Sequence, residues 1–172
     1  WGNRLRCHAP SPEFGDMVLG LPYVEFPVAT GDAAGVARFY ETLMGAPATV
    51  GDDGAGVAAR VRVGGVQALV FRETTQPLPA YDGHHIAMYI ADFSGPYRRL
   101  LERGLITRDT SEYEWRLQSI VDPHDGRLLF EIEHEVRSLT NPLFRRPLVN
   151  RNPAQRQPTY QRGRDAFVPR FG

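Results

Sequence analysis

The chain has 172 residues and a mass of 19.3 kDa, the length of one domain or of two small modules sharing a core. At that length about 70% of the unfolded surface is buried on folding, so no covalent staple is needed. Zero net charge argues against nucleic acid as a partner of the whole chain. The single cysteine, Cys7, excludes a disulfide framework, no apolar run reaches membrane length, and all 20 basic residues are Arg, which rules out lysine-dependent chemistry. These features together predict a cytoplasmic protein.

Tyr23–Val28 alternates aromatic and β-branched residues and reads as a strand. After a Gly/Asp break, Val36, Phe39, Tyr40 and Leu43 recur at helical spacing, with Asp32 as N-cap and Gly45 as the stop. Residues 55–63 and 66–74 read as two strands joined at Gly64-Gly65. The pattern then starts again. His85–Ile90 is a strand, Ser94 a cap, and the next helix turns Tyr97, Leu100 and Leu101 inward before Gly104. Residues 114–122 and 127–136 are two more strands around the Pro123-His124-Asp125-Gly126 turn. Tyr23 corresponds to His85 and Val28 to Ile90, so the chain reads as a duplicated βαβββ unit of the α+β class.

From Arg137 onward, 8 Arg face the one acid Asp165 in a stretch dense in Pro and Asn. Proline excludes a helix or central strand there, whereas Leu143, Phe144, Leu148, Val149, Tyr160, Phe167, Val168 and Phe171 are too many apolar groups for a solvated tail. The expectation is an extended arm over residues 139–172, wrapping its own domain or a neighbouring subunit.

The duplicated pattern, the FYETLMGA helix after the first strand, GHHIAMYIADF at the second opening and DPHDGRLLFEIE at the close resemble the vicinal oxygen chelate superfamily. That group includes glyoxalases, bleomycin-resistance proteins and extradiol dioxygenases. The resemblance covers roughly residues 21–136. It implies an α+β fold of paired βαβββ modules forming a cupped mixed sheet, with a first module over 18–80 and a second over 81–138, and a homodimer that completes the cup. Residues 1–17 then resemble the closing strand of a preceding module and its linker, as in a longer tandem protein.

The resemblance also implies a divalent metal, with Fe(II), Mn, Zn or Ni as candidates, held by residues on the first and last strands. His85 stands at the family's usual histidine, and Glu131, within Phe130-Glu131-Ile132, resembles its final carboxylate. Strand alternation puts His85, Ala87 and Tyr89 on one face, and sets Glu131, Glu133 and Glu135 against Phe130, Ile132 and His134. Gly126 precedes Glu131 by one residue more than the pattern expects, so either the turn is longer or Phe130 faces the cup. Tyr23 replaces the first module's histidine and Leu69 a glyoxalase-type glutamate. Glu25, a carboxylate on an apolar strand, is a third ligand or a general base. Tyr23 or Glu25 completes or flanks the site, and Tyr89 and Tyr113 are candidates for hydrogen-bonding a substrate oxygen. The function this implies is a metal-dependent enzyme acting on a small oxygen-bearing organic substrate, leaning towards extradiol dioxygenases, with glyoxalase- or epimerase-like lyase or isomerase chemistry as an alternative. A metal-free binding protein of the bleomycin-resistance type is the competing reading, and a module serving only a structural role is a third.

Overall fold

A computed structural model describes residues 4–17 and 20–144. The first half forms β1 (Tyr23–Ala29), α1 (Ala33–Phe39) running into a wider π-turn at Tyr40–Met44, β2 (Ala48–Asp52), β3 (Val57–Arg62) and β4 (Ala68–Thr74). The second half repeats this with β5 (His85–Ile90), α2 (Ser94–Leu101), β6 (Ile106–Ser111), β7 (Glu114–Val121) and β8 (Leu128–Ser138). Two four-stranded sheets result, ordered β1-β4-β3-β2 and β5-β8-β7-β6. In each, the first strand runs parallel to the last and the other pairs are antiparallel. The fold is thus two βαβββ modules.

Local chemistry explains the element ends. Gly45 and Gly104 take the left-handed conformation that closes a helical segment, at φ 70° and 67°. Asp32 stands at the N-cap but does not cap. It pairs with Arg127 at 2.8 Å, and the Ala33 N–H donates to Glu73 instead. In α2 the expected cap Ser94 is the first helical residue, and Asp92 accepts from the Gly95 N–H. Leu101, expected inward, is 52% exposed, while Leu100 is buried. β2 and β6, with the sequences ATVGD and ITRDTS, were not legible as strands because neither carries an alternating apolar face.

One apolar core serves both modules. Val28, Phe39, Tyr40 and Phe71 from the first half join Leu100, Trp115, Leu117, Ile120, Ile132 and Val136 from the second. α1 packs on β2, β3 and β4 and also reaches β7 of the other sheet. Gly35 permits that approach. A Cβ there would stand 2.7 Å from Leu129 and 3.0 Å from Asp122. Arg38 of α1 completes the junction through a 2.5 Å ion pair with Asp122. The helices and the apolar sheet faces therefore lie between the sheets, and each sheet turns its polar face outward.

The segment expected to close a preceding module runs without strand pairing over residues 4–10, followed by a short turn at Pro12–Phe14 that buries Phe14. Trp1, Gly2 and Asn3 lie outside the described residues. Of the expected arm, Leu143 and Phe144 are described, with the Phe144 ring 5.2 Å from Tyr89. Leu148, Val149, Tyr160, Asp165, Phe167, Val168 and Phe171 lie outside the described residues.

Candidate functional site

The outward face of the second sheet carries a ladder of charge. β5 turns Ile86, Met88 and Ile90 into the core, which leaves His85, Ala87 and Tyr89 on the polar face beside Glu133, Glu135 and Arg137 of β8. From β7, Arg116 reaches Glu133 at 2.6 Å, Glu135 at 2.8 Å and Glu114 at 3.1 Å. Arg137 bonds Glu114, Glu135 and the Tyr89 hydroxyl, and its guanidinium stands 5.9 Å from the Tyr89 ring centre. Glu114 and Glu135 are already 8% and 7% exposed, so their charges depend on these two arginines. Burial lowers both guanidinium groups, but Glu114, Glu133 and Glu135 on Arg116, and Tyr89 with Glu135 and Glu114 on Arg137, outweigh it and hold them above the ordinary arginine range.

The outward face of the first sheet is simpler. Arg72 on β4 grips Asp53 with two 2.8 Å hydrogen bonds and pairs with Glu25 at 3.2 Å. That grip and the Ala55 N–H lower the Asp53 carboxyl to about 2. The Tyr23 hydroxyl shares a 2.9 Å hydrogen bond with His8 Nε2. Arg60 and Arg62 of β3 stand exposed on this face.

The residues singled out in the sequence are not gathered at one point. His85 lies opposite Glu133 in the register, and its Nε2 is 3.8 Å from Glu135 Oε1. Glu131 lies beyond the stretch of β8 that β5 covers and accepts from Gln118 at 2.9 Å. Glu25 belongs to the other sheet and is engaged by Arg72. Among the described residues no three His, Cys, Asp or Glu side chains converge to hold a metal ion. The carboxylates nearest His85 are each bound by arginine, whose charge opposes a divalent ion at the same oxygens. The ligand set of one chain therefore does not fit a metal.

The register question has a physical answer. Ile120 pairs with Phe130 and Val121 with Leu128, so the strand absorbs one extra residue at Leu129, which is buried beside Gly35. Phe130 packs at 5.8 Å on both Phe26 and Phe71 on the core side, and Glu131 bonds Gln118 away from it.

His134 of β8 is fully buried, and its Nδ1–H donates to the Ile132 carbonyl at 2.9 Å. The Tyr40 hydroxyl donates to its Nε2 at 2.6 Å. Burial lowers the imidazole to about 4 and raises the Tyr40 phenol well above its ordinary value. This pair is a satisfied core contact between the modules. The Arg116–Arg137 ladder was missed as a unit. Its signal was the two-residue spacing of Glu131, Glu133 and Glu135 opposite an Arg-bearing strand. Tyr113, the remaining candidate, is partly buried in the β6–β7 turn.

Two clefts open at the β1 and β5 edges. The larger, about 430 Å³, has Val24, Leu69, Ile86 and Met88 among its walls, with Tyr23, Tyr89 and Phe144. The smaller, about 280 Å³, is lined by Phe26, Tyr81, His84, Phe130 and Glu131 under the segment joining the modules. No helix among the described residues is long and apolar enough to cross a membrane.

No protein-family model and no curated protein matches the chain. Solved structures do. A Bacillus anthracis protein described as of the glyoxalase family aligns at 16% identity over 72% of this chain and 97% of its own, with a TM-score of 0.50. A lactoylglutathione lyase from Agrobacterium tumefaciens aligns at 15% identity over 72% and 95%, with a TM-score of 0.44. TnmS3, an antibiotic binding protein from Streptomyces sp. CB03234, aligns at 19% identity over 70% and 98%, with a TM-score of 0.46. At such identities the likeness is one of architecture. Two βαβββ modules with parallel outer pairs, matched by a glyoxalase-family structure along nearly its whole length, give this chain the fold of the vicinal oxygen chelate superfamily.

Proposed function

We propose that the protein acts as a homodimer that binds a small oxygen-bearing organic molecule without a metal, in a cup between the polar face of the first sheet of one copy and that of the second sheet of its partner. The observation that carries this reading is the position of the shared core. It occupies the space between the sheets, so both polar faces point away from it, and among the described residues neither is closed over by the rest of the chain. Their charges are complementary. Arg60, Arg62 and Arg72 outnumber Glu25 and Asp53 on one face, and Glu114, Glu131, Glu133 and Glu135 outnumber Arg108, Arg116 and Arg137 on the other. Closing the cup desolvates the Arg116–Arg137 ladder, where guanidinium N–H groups and the Tyr89 hydroxyl donate to ligand oxygens. The test is a thermal-shift screen of small phenols, diols and carboxylic acids with and without EDTA. A hit whose stabilisation survives EDTA and is lost in Tyr89→Phe supports the reading, and hits abolished by EDTA overturn it.

A second reading keeps metal chemistry. His85 stands on the polar face with its side chain 55% exposed, and a partner copy could bring further ligands to it across the cup. A metal there would polarise vicinal oxygens or activate dioxygen. Its mark is near-stoichiometric metal in protein purified without chelator, lost in His85→Ala. Iron in that assay would point to extradiol chemistry, and zinc or nickel to a lyase or isomerase.

A further inference from the structure

We infer that the smaller cleft, beneath the segment joining the two modules, is a site for a small organic ammonium cation. Its wall is a run of aromatic rings. Phe26 and His84 lie nearly parallel, 22° apart with centres 6.4 Å apart, Phe130 lies 5.8 Å from Phe26, and Tyr81 lies 5.2 Å from His84. The faces of such rings carry negative charge density and attract a cation that has shed part of its water. Glu131 completes the lining, and its one bonded partner among the described residues is the neutral amide of Gln118. Every other partly buried carboxylate on this sheet's polar face has an arginine. No arginine lines the cleft, and the chain has no lysine.

The surroundings point the same way. The Tyr81 phenol is raised by burial first and then by the charges of Glu133, Glu131 and Asp82, so the cleft sits in the field of three carboxylates. His84 is oriented by Asp82, whose Oδ1 lies 2.8 Å from its Nδ1. The cleft's volume of about 280 Å³ admits a trimethylammonium group with a short polar arm and excludes a drug-sized ligand. The cleft meets the proposed cup only at Glu131, and its aromatic wall does not depend on that reading.

The test uses the full chain and two probes of one shape, choline and its neutral isostere 3,3-dimethylbutan-1-ol, titrated by NMR while watching the Tyr81 and His84 ring signals. Choline is expected to saturate in the millimolar range and the alcohol to bind at least tenfold more weakly. Glu131→Gln, which keeps the shape and the contact to Gln118, should weaken choline about tenfold while leaving the alcohol unchanged. Tyr81→Leu, on the exposed joining segment, should weaken choline at least threefold with no loss of fold. Equal affinity for the two probes in the wild-type chain, or no saturable choline binding by roughly 50 mM, would overturn the proposal.

Discussion

The Tyr40–His134 pair sets how stability responds to acid. The folded chain holds His134 neutral down to about 4, against 6.5 for an ordinary imidazole. Between those values the unfolded chain binds a proton that the folded chain refuses. Stability is therefore complete above pH 6.5 and falls as pH drops through the window, by about 3 kcal/mol at its lower end. Urea melts at about pH 7 and about pH 4.5 should show this loss, and His134→Gln, which still accepts from Tyr40, should remove most of the pH dependence. An unchanged dependence would place the acid sensitivity elsewhere. Arg116 makes a second residue-scale case. Arg116→Met leaves Glu114 and Glu135 with Arg137 alone and Glu133 without its arginine, and should cost about 3 kcal/mol by the same melts. A neutral result would mean that the carboxylates escape to water.

At the scale of elements, the junction between the modules rests on a position without a side chain. Gly35→Ala gains up to about 1 kcal/mol of helix propensity, yet its methyl meets Leu129 at 2.7 Å and Asp122 at 3.0 Å. Crowding in a packed core costs about 1–3 kcal/mol, so the variant should melt lower. A higher melting point would show that α1 is free to shift on the second sheet. The elements legible in the sequence were those with a buried face. β1, α1, β3, β4, β5, α2, β7 and β8 each carry apolar residues at their own period. β2 and β6 are edge strands fixed by pairing with β3 and β7, a non-local cause that no local pattern records. The extra residue between Gly126 and Glu131 was visible as an irregular spacing. Its resolution into a bulge depended on Leu129 filling the space beside Gly35, a residue of the other module.

At the scale of the whole molecule, duplication was legible because Tyr23 and His85 head equivalent strands, but the relation between the modules was not. Alternation places His85 and Glu133 on one face of a sheet. It does not say whether that face looks at the other module or away from it. The shared core between the sheets settles this, and it separates Glu25 from His85 within one chain. His85, Glu131 and Glu25 were chosen for residue type at family positions, whereas their neighbours are set by arginines on other strands, from β7 and β4. Cup closure by a second copy is therefore the central claim, and its driving contacts join the Arg60 face to the glutamate face. The most direct measurement is sedimentation equilibrium of the wild-type chain and of Arg60→Glu, an exposed change outside the core. The account predicts a wild-type mass twice 19.3 kDa and a variant that dissociates at least tenfold more readily. A monomeric wild type, or a dimer indifferent to Arg60→Glu, would contradict it.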